Sequence, residues 1–187
     1  MSAPQGMVSF SGVDAILEAA VVVGHGISPC AAVLKIAPQP SLAIEVGTLE
    51  LTYGDTTVTL RDCKVDYAAI ERNDRGEIWR LTLLDRRWRW RYGSISGRYN
   101  LRRDDSTLVQ GQAQSVDTER TPQELAILLL DAMGETDYLV DDLPNGTRPR
   151  VEWDGAVPAD ALAELCEQLG CRVVLQLDDR VALRRTG

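Results

Sequence analysis

Thr48-Leu-Glu-Leu-Thr-Tyr-Gly-Asp-Thr-Thr-Val-Thr-Leu60 decides the fold class. Residues 48–53 alternate polar and apolar side chains, the period-two pattern of a strand with one buried face. Gly54-Asp55 is a two-residue turn with glycine at its first central position, as a type II′ turn requires. Residues 56–60 return from it. Downstream, residues 63–70 read as a further strand and Asn73-Asp74-Arg75-Gly76 as a turn. Residues 78–84 return, with Trp79, Leu81 and Leu83 on one face and Ile78, Arg80 and Thr82 on the other. Upstream, residues 31–37 alternate as a strand that Pro38 and Pro40 end. Residues 13–23 are ambiguous: Asp14 to Glu18 fits a helical turn, whereas Ala20-Val-Val-Val23 favours a strand. Residues 1–12 are small and polar and read as an arm ordered by a partner. Short strands joined by tight turns predict a small antiparallel barrel or sandwich.

The period changes after residue 118. Thr121-Pro122-Gln123-Glu124 is a capping box with proline at the first helical position. Leu125, Leu128, Leu129 and Ala132 then share a helical face, and Gly134 ends the helix. Residues 137–150 read as a polar connector. A second helix starts at Pro158, with Ala161, Leu162, Leu165, Cys166 and Leu169 apolar and Gly170 closing it. Residues 172–176 and 181–184, joined by a turn at Asp178-Asp179, form a closing hairpin. The expected fold class is α+β: a β-rich barrel-like domain with its N-terminal arm over 1–117, then a small α+β module over 118–187.

Composition narrows the function. The 187 residues carry 20 Lys plus Arg and 28 Asp plus Glu, a formal net charge of −8. That balance opposes a dedicated nucleic-acid binder. The single histidine, His25, lies between two glycines and reads as a turn residue. A His-rich metal site is thereby nearly ruled out, and the commonest general base is confined to one position. Cys30, Cys63, Cys166 and Cys171 form no Cys-x-x-Cys pair and read as buried thiols. No signal peptide is expected, and the apolar run at 19–23 is far below the ~20 residues that span a bilayer. A soluble cytoplasmic product follows as the expectation.

No catalytic arrangement stands out. Gly93-Ser-Ile-Ser-Gly97 has isoleucine where a nucleophile elbow needs its serine. The Asp-Asp pairs at 104–105, 141–142 and 178–179 fall in turns and lack the further ligands of a Ca²⁺ loop. Gly24-x-Gly26 has no third glycine and no Walker lysine. No metal, no cofactor and no catalytic residue is expected, so an interaction protein is favoured over an enzyme.

The densest feature is Arg86-Arg87-Trp88-Arg89-Trp90-Arg91-Tyr92. Residues 80–103 hold eight arginines and one acid, Asp85. At strand spacing, Trp88, Trp90 and Tyr92 share one face and Arg87, Arg89 and Arg91 the other. Three readings stay open: phosphate and base contact, a subunit interface anchored by Trp, Tyr and Arg, or a solvated arginine face over a buried aromatic one. Arg87, Arg89 and Arg91 are the candidate interface residues. Trp79, Trp88, Trp90 and Trp153 are the candidate structural core.

Two segments together resemble a known family. One is Trp79-Arg-Leu-Thr-Leu-Leu-Asp85-Arg-Arg-Trp88, which follows a hairpin. The other runs from Thr121-Pro-Gln-Glu-Leu through Met133-Gly134, Pro149-Arg-Val-Glu-Trp153 and the 158–170 helix to Val173-Val-Leu. Over roughly residues 45–187 the chain resembles the N-terminal half of phage tail hub proteins, the baseplate hub or late-control-D-like superfamily; spikes of type VI secretion systems are similar. The resemblance implies barrel domains like those of the tube protein, and a homo-oligomeric ring, typically trimeric, at the tail tip. It also implies contacts with tail tube, distal tail and spike or fibre proteins, and DNA passing the lumen without specific binding. The location implied is the virion tail, with synthesis in the bacterial host cytoplasm. Hubs usually continue with another barrel, so a chain ending at Gly187 suggests a fragment or one part of a split hub. A nucleic-acid-binding module using the arginine-rich 80–103 stretch, a spike component of a type VI-like secretion system and a small tail-borne hydrolase remain as alternatives.

Overall fold

The computed structural model describes residues 6–41, 44–74, 76–101 and 118–186. The chain divides into two compact units. The first comprises Met1–Gly24, Ser28–Trp88 and Leu175–Asp179; the second comprises His25–Ile27, Arg89–Val174 and Arg180–Gly187. The division thus follows Trp88 rather than residue 117.

The first unit is a six-stranded, wholly antiparallel sheet in the order β1-β4-β5-β6-β3-β2, curled into a nearly closed barrel. Its strands are β1 (Met7–Phe10), β2 (Ile16–Val21), β3 (Ala31–Ile36), β4 (Val46–Tyr53), β5 (Thr56–Asn73) and β6 (Gly76–Leu84). The expected hairpin is β4–β5. Gly54 takes φ +59° while Asp55 keeps a negative φ, the type II′ pattern. Strand alternation buries Leu34, Ile36, Leu49, Leu81 and Leu83 almost completely. Each such side chain contributes roughly 1.5–3 kcal/mol of burial. The space left among Val21, Cys30, Leu49, Leu60, Cys63 and Leu83 is about 10 Å³, room for one water at most. The barrel interior is a packed core.

Three expectations change in this unit. Residues 7–10 are no free arm: they pair with β4 as an edge strand. The ambiguous stretch resolves to strand β2. The strands expected at 56–60 and 63–70 are one strand, β5. It crosses a bulge where Arg61 and Asp62 oppose Thr48, with Asp62 at φ +54°.

The second unit holds α1 (Pro122–Ala132) and α2 (Pro158–Gln168), packed on each other. Its strands are β7 (Ile95–Tyr99), β8 (Tyr138–Leu139), β9 (Val151–Ala156), β10 (Cys171–Leu175) and β11 (Val181–Arg185). The capping box is complete: Glu124 N–H donates to Thr121 Oγ1 at 3.2 Å, and Thr121 N–H to Glu124 Oε2 at 2.7 Å. Gly134, at φ +77°, closes the helix. The buried face of α1 is Leu125, Ala126, Leu129 and Leu130, rotated from the expected one; Leu128 is half-buried and Ala132 exposed. Two pairings were not expected. Within 93–97, residues 95–97 begin strand β7, which pairs antiparallel with β9, and the polar connector contributes β8, parallel to β11.

Candidate functional site

The arginine–tryptophan segment is not a strand. Residues Arg86–Arg91 form a 3-10 helix, which corrects the expected alternation. The reason lies in Asp85, the residue that follows β6. Its Oδ1 accepts the Arg87 backbone N–H at 3.0 Å, and Trp88 N–H donates to the Asp85 carbonyl at 3.0 Å. These bonds turn the chain as an Asx turn does, and three residues per turn destroys two-sided alternation.

Arg87, Arg89 and Arg91 therefore share no face. Arg87 is fully buried in the first unit. Its Nη2 and Nε donate to Asp85 at 2.7 and 3.0 Å, and its Nη1 to the Gly24 carbonyl at 3.2 Å. Burial alone would lower its pKa, but the Asp85 carboxylate overrides that and holds the guanidinium above its ordinary value. Asp85 Oδ2 also accepts Cys30 N–H at 2.8 Å, tying β3 to the end of β6. Arg89, in the second unit, donates to Glu135 at 3.2 Å. Arg91 is exposed, its guanidinium carbon 5.8 Å from the Tyr92 ring centre.

The tryptophans also divide. Trp90 is completely buried, and its indole N–H donates to Glu135 Oε1 at 2.7 Å. Trp153 is buried with Tyr99 edge-on at 5.5 Å. Trp79 and Trp88 are only half-buried, which corrects their assignment to the core. Trp79 N–H donates to Glu77, and Trp88 N–H to the Asp62 carbonyl. Lys64 Nζ lies 4.9 Å from the Trp88 ring centre, within cation–π range.

Sequence reading missed three acids. Asp179, read only as a turn residue, accepts Arg86 Nη1 at 2.8 Å and Arg61 Nε at 2.9 Å while almost wholly buried. Burial raises its pKa against the pull of both arginines. Glu135 and Asp85 are likewise buried. The available signal was the acidic surplus beside an arginine-rich segment. Asn100, at φ +55°, is buried too: its amide bridges the Arg120 and Pro149 carbonyls at 3.0 and 2.7 Å.

Chemically, the arrangement supports structure. Arg80 faces Glu71, Arg86 faces Asp179, Arg87 faces Asp85, Arg89 faces Glu135, and Arg98 faces Glu152. These cations are met within the chain rather than arrayed for phosphate. Arg102 and Arg103 lie outside the described residues, as does the Asp104-Asp105 pair. His25 forms a lone β-bridge with Val174. Among the described residues no group of His, Cys, Asp or Glu could hold a metal ion, and no helix is long and apolar enough to cross a membrane.

No protein-family model matches the chain, and no curated protein matches it. Solved structures do. The 43 kDa tail protein of prophage MuSo2 from Shewanella oneidensis matches with a TM-score of 0.64 at 14% identity, over 100% of this chain and 57% of that one. A tail protein from Neisseria meningitidis MC58 matches with a TM-score of 0.62 at 13% identity, over 95% of this chain and 51% of that one. The chain shares the fold of these two tail proteins. It spans little more than half the length of either of them.

Proposed function

We propose that this chain is a structural component of a phage or phage-like tail. Within that role it acts as a hub at the tail tip, joining tube to spike or baseplate as a homo-oligomeric ring, typically a trimer, around the lumen. The observation that carries the reading is the likeness to two tail proteins, which extends over nearly the whole chain, barrel and α+β unit together. The solid barrel interior agrees with a building block. So do the buried acids, each held by arginine or tryptophan rather than poised for proton transfer. DNA then passes the ring without specific binding, and a chain carrying −8 repels it. The expected neighbours are tail tube, distal tail and spike or fibre proteins.

Gold-labelled antibody against the chain, applied to the intact particles that carry it, tests the position. Label at the tube's distal end supports a hub. Label along the tube, or at the head, contradicts it. Salt-sensitive DNA binding by the purified chain would favour the nucleic-acid alternative.

A further inference from the structure

Helix α2 ends in a way that brings two thiols together. Gly170 takes φ +64°, and its N–H donates to the Glu167 carbonyl at 3.1 Å. These are the left-handed glycine and the inner bond of a Schellman ending, in which the residue after the glycine folds back onto the residue four before it. Two apolar side chains frequently make that contact. Here the two positions are Cys166, in the last turn of α2, and Cys171, the first residue of β10. The turn is also held from β11: the Gly170 carbonyl accepts the Thr186 N–H at 2.9 Å and its hydroxyl at 2.7 Å. A reversal this tight keeps its end Cα atoms within about the 4.4–6.8 Å that a disulfide spans.

Electrostatics agrees with the proximity. Burial is the main cause that pushes the Cys166 thiol up to about 12, and the neighbouring Cys171 adds to it, as a group that would carry like charge does. Burial raises the Cys171 thiol as well, but Arg185 draws it back, which makes Cys171 the readier nucleophile of the two. The pair is also reachable. Both cysteines line a hollow of about 290 Å³ beside Ala163 and Thr186. Glu167 and Arg172 stand at it with opposite charges, so it favours neither an anion nor a cation and suits a small neutral reagent. The space beside Cys63, by contrast, is about 10 Å³.

We propose that Cys166 and Cys171 form a modification site, a dithiol that a neutral low-molecular-weight disulfide entering this hollow oxidises to an intramolecular disulfide, stapling the end of α2 to β10. The Cys171 thiol gives up its proton and attacks one sulfur of the reagent. A bond forms between Cys171 and that sulfur, the reagent's own S–S bond breaks, and the other half leaves as a thiolate that takes up the proton. Cys166, losing its proton in turn, attacks the Cys171 sulfur; the Cys166–Cys171 bond forms and the second half leaves as a thiol. Two protein thiols are oxidised and one reagent disulfide is reduced to two thiols. The second step is intramolecular, and the fixed turn offsets the scarcity of Cys166 thiolate.

Arg150 and Arg172 flank both cysteines with no Lys or Arg between them, so Val151–Arg172 is one tryptic peptide. The folded protein is treated overnight with 2-hydroxyethyl disulfide at pH 8, then denatured, alkylated with iodoacetamide and digested. The peptide should come out lighter by two hydrogens and unalkylated, while Cys63 is alkylated in full. Cys166→Ser should trap half of the reagent on Cys171, and Cys171→Ser should leave Cys166 a free thiol. Circular dichroism shows whether each variant is folded, and the wild-type measurement needs neither. A wild-type peptide that keeps both thiols, or that carries a lasting reagent adduct, overturns the proposal. An adduct on Cys166 in Cys171→Ser overturns the order of attack.

Discussion

Asp85 and Arg87, two residues apart, form a forked ion pair with both side chains buried, Oδ2 to Nη2 at 2.7 Å and Oδ1 to Nε at 3.0 Å. The pair fixes where the barrel's last strand ends and the 3-10 helix begins. It also decides what charge changes in this segment do. Removing one partner of a buried pair leaves an uncompensated charge.

Asp85→Ala should therefore destabilise the protein by about 3–5 kcal/mol. Arg91→Glu, at an exposed position, should change stability by less than about 0.5 kcal/mol. Urea denaturation of both checks the contrast. Equal midpoints would sink the assignment. Reversing Arg87, Arg89 and Arg91 together thus tests folding before it tests assembly.

The capping box gives a second outcome. Thr121→Ala should cost about 1 kcal/mol. Hydrogen bonds from the Thr121 N–H and hydroxyl hold the Glu124 carboxyl below its usual range. A depressed folded pKa means that this contribution is complete above the unfolded value of about 4.3 and is lost as pH falls through the folded one. The penalty of Glu124→Gln should accordingly shrink between neutral pH and strong acid. Thermal melts across that range measure it, and a penalty that grows in acid would mean that the folded protein raises the Glu124 pKa instead.

Trp153→Ala should cost roughly 3–5 kcal/mol, because the ring is buried and leaves a cavity facing Tyr99. Trp79→Ala, at a half-buried ring, should cost distinctly less. Calorimetry on the two variants ranks them, and the opposite order would contradict the burial.

Cys63 and Cys166 should resist alkylation at pH 8 in the native protein. Burial pushes each thiol up to about 12, so little nucleophilic thiolate exists at that pH. Mass spectrometry after iodoacetamide treatment should find both unmodified until denaturant is added. Prompt modification of either would show that its site opens.

What the sequence made legible was local. The Gly54-Asp55 turn and the Thr121–Glu124 cap are built from residues within four of each other, so pattern and chemistry coincide. The 3-10 helix was not legible, because Arg-Trp-Arg-Trp alternates as a strand would. Only the backbone capture by Asp85 shows otherwise. Strand β5 looked broken at Arg61-Asp62 because a bulge shifts the alternation that marks a strand. Pairing of β7 with β9, and of β8 with β11, joins segments some forty residues or more apart in sequence, which no local pattern encodes. Asp179 reaches Arg61 and Arg86 across 118 and 93 residues; its neighbour Asp178 hid it as one half of a turn.

The proposed hub role requires that copies of the chain close into rings. Electron microscopy of the purified protein, at concentrations where sedimentation shows assembly, tests it most directly. A trimeric hub gives closed rings of one size with a central lumen and threefold symmetry. Monomers at every concentration, or open filaments of unlimited length, would contradict it.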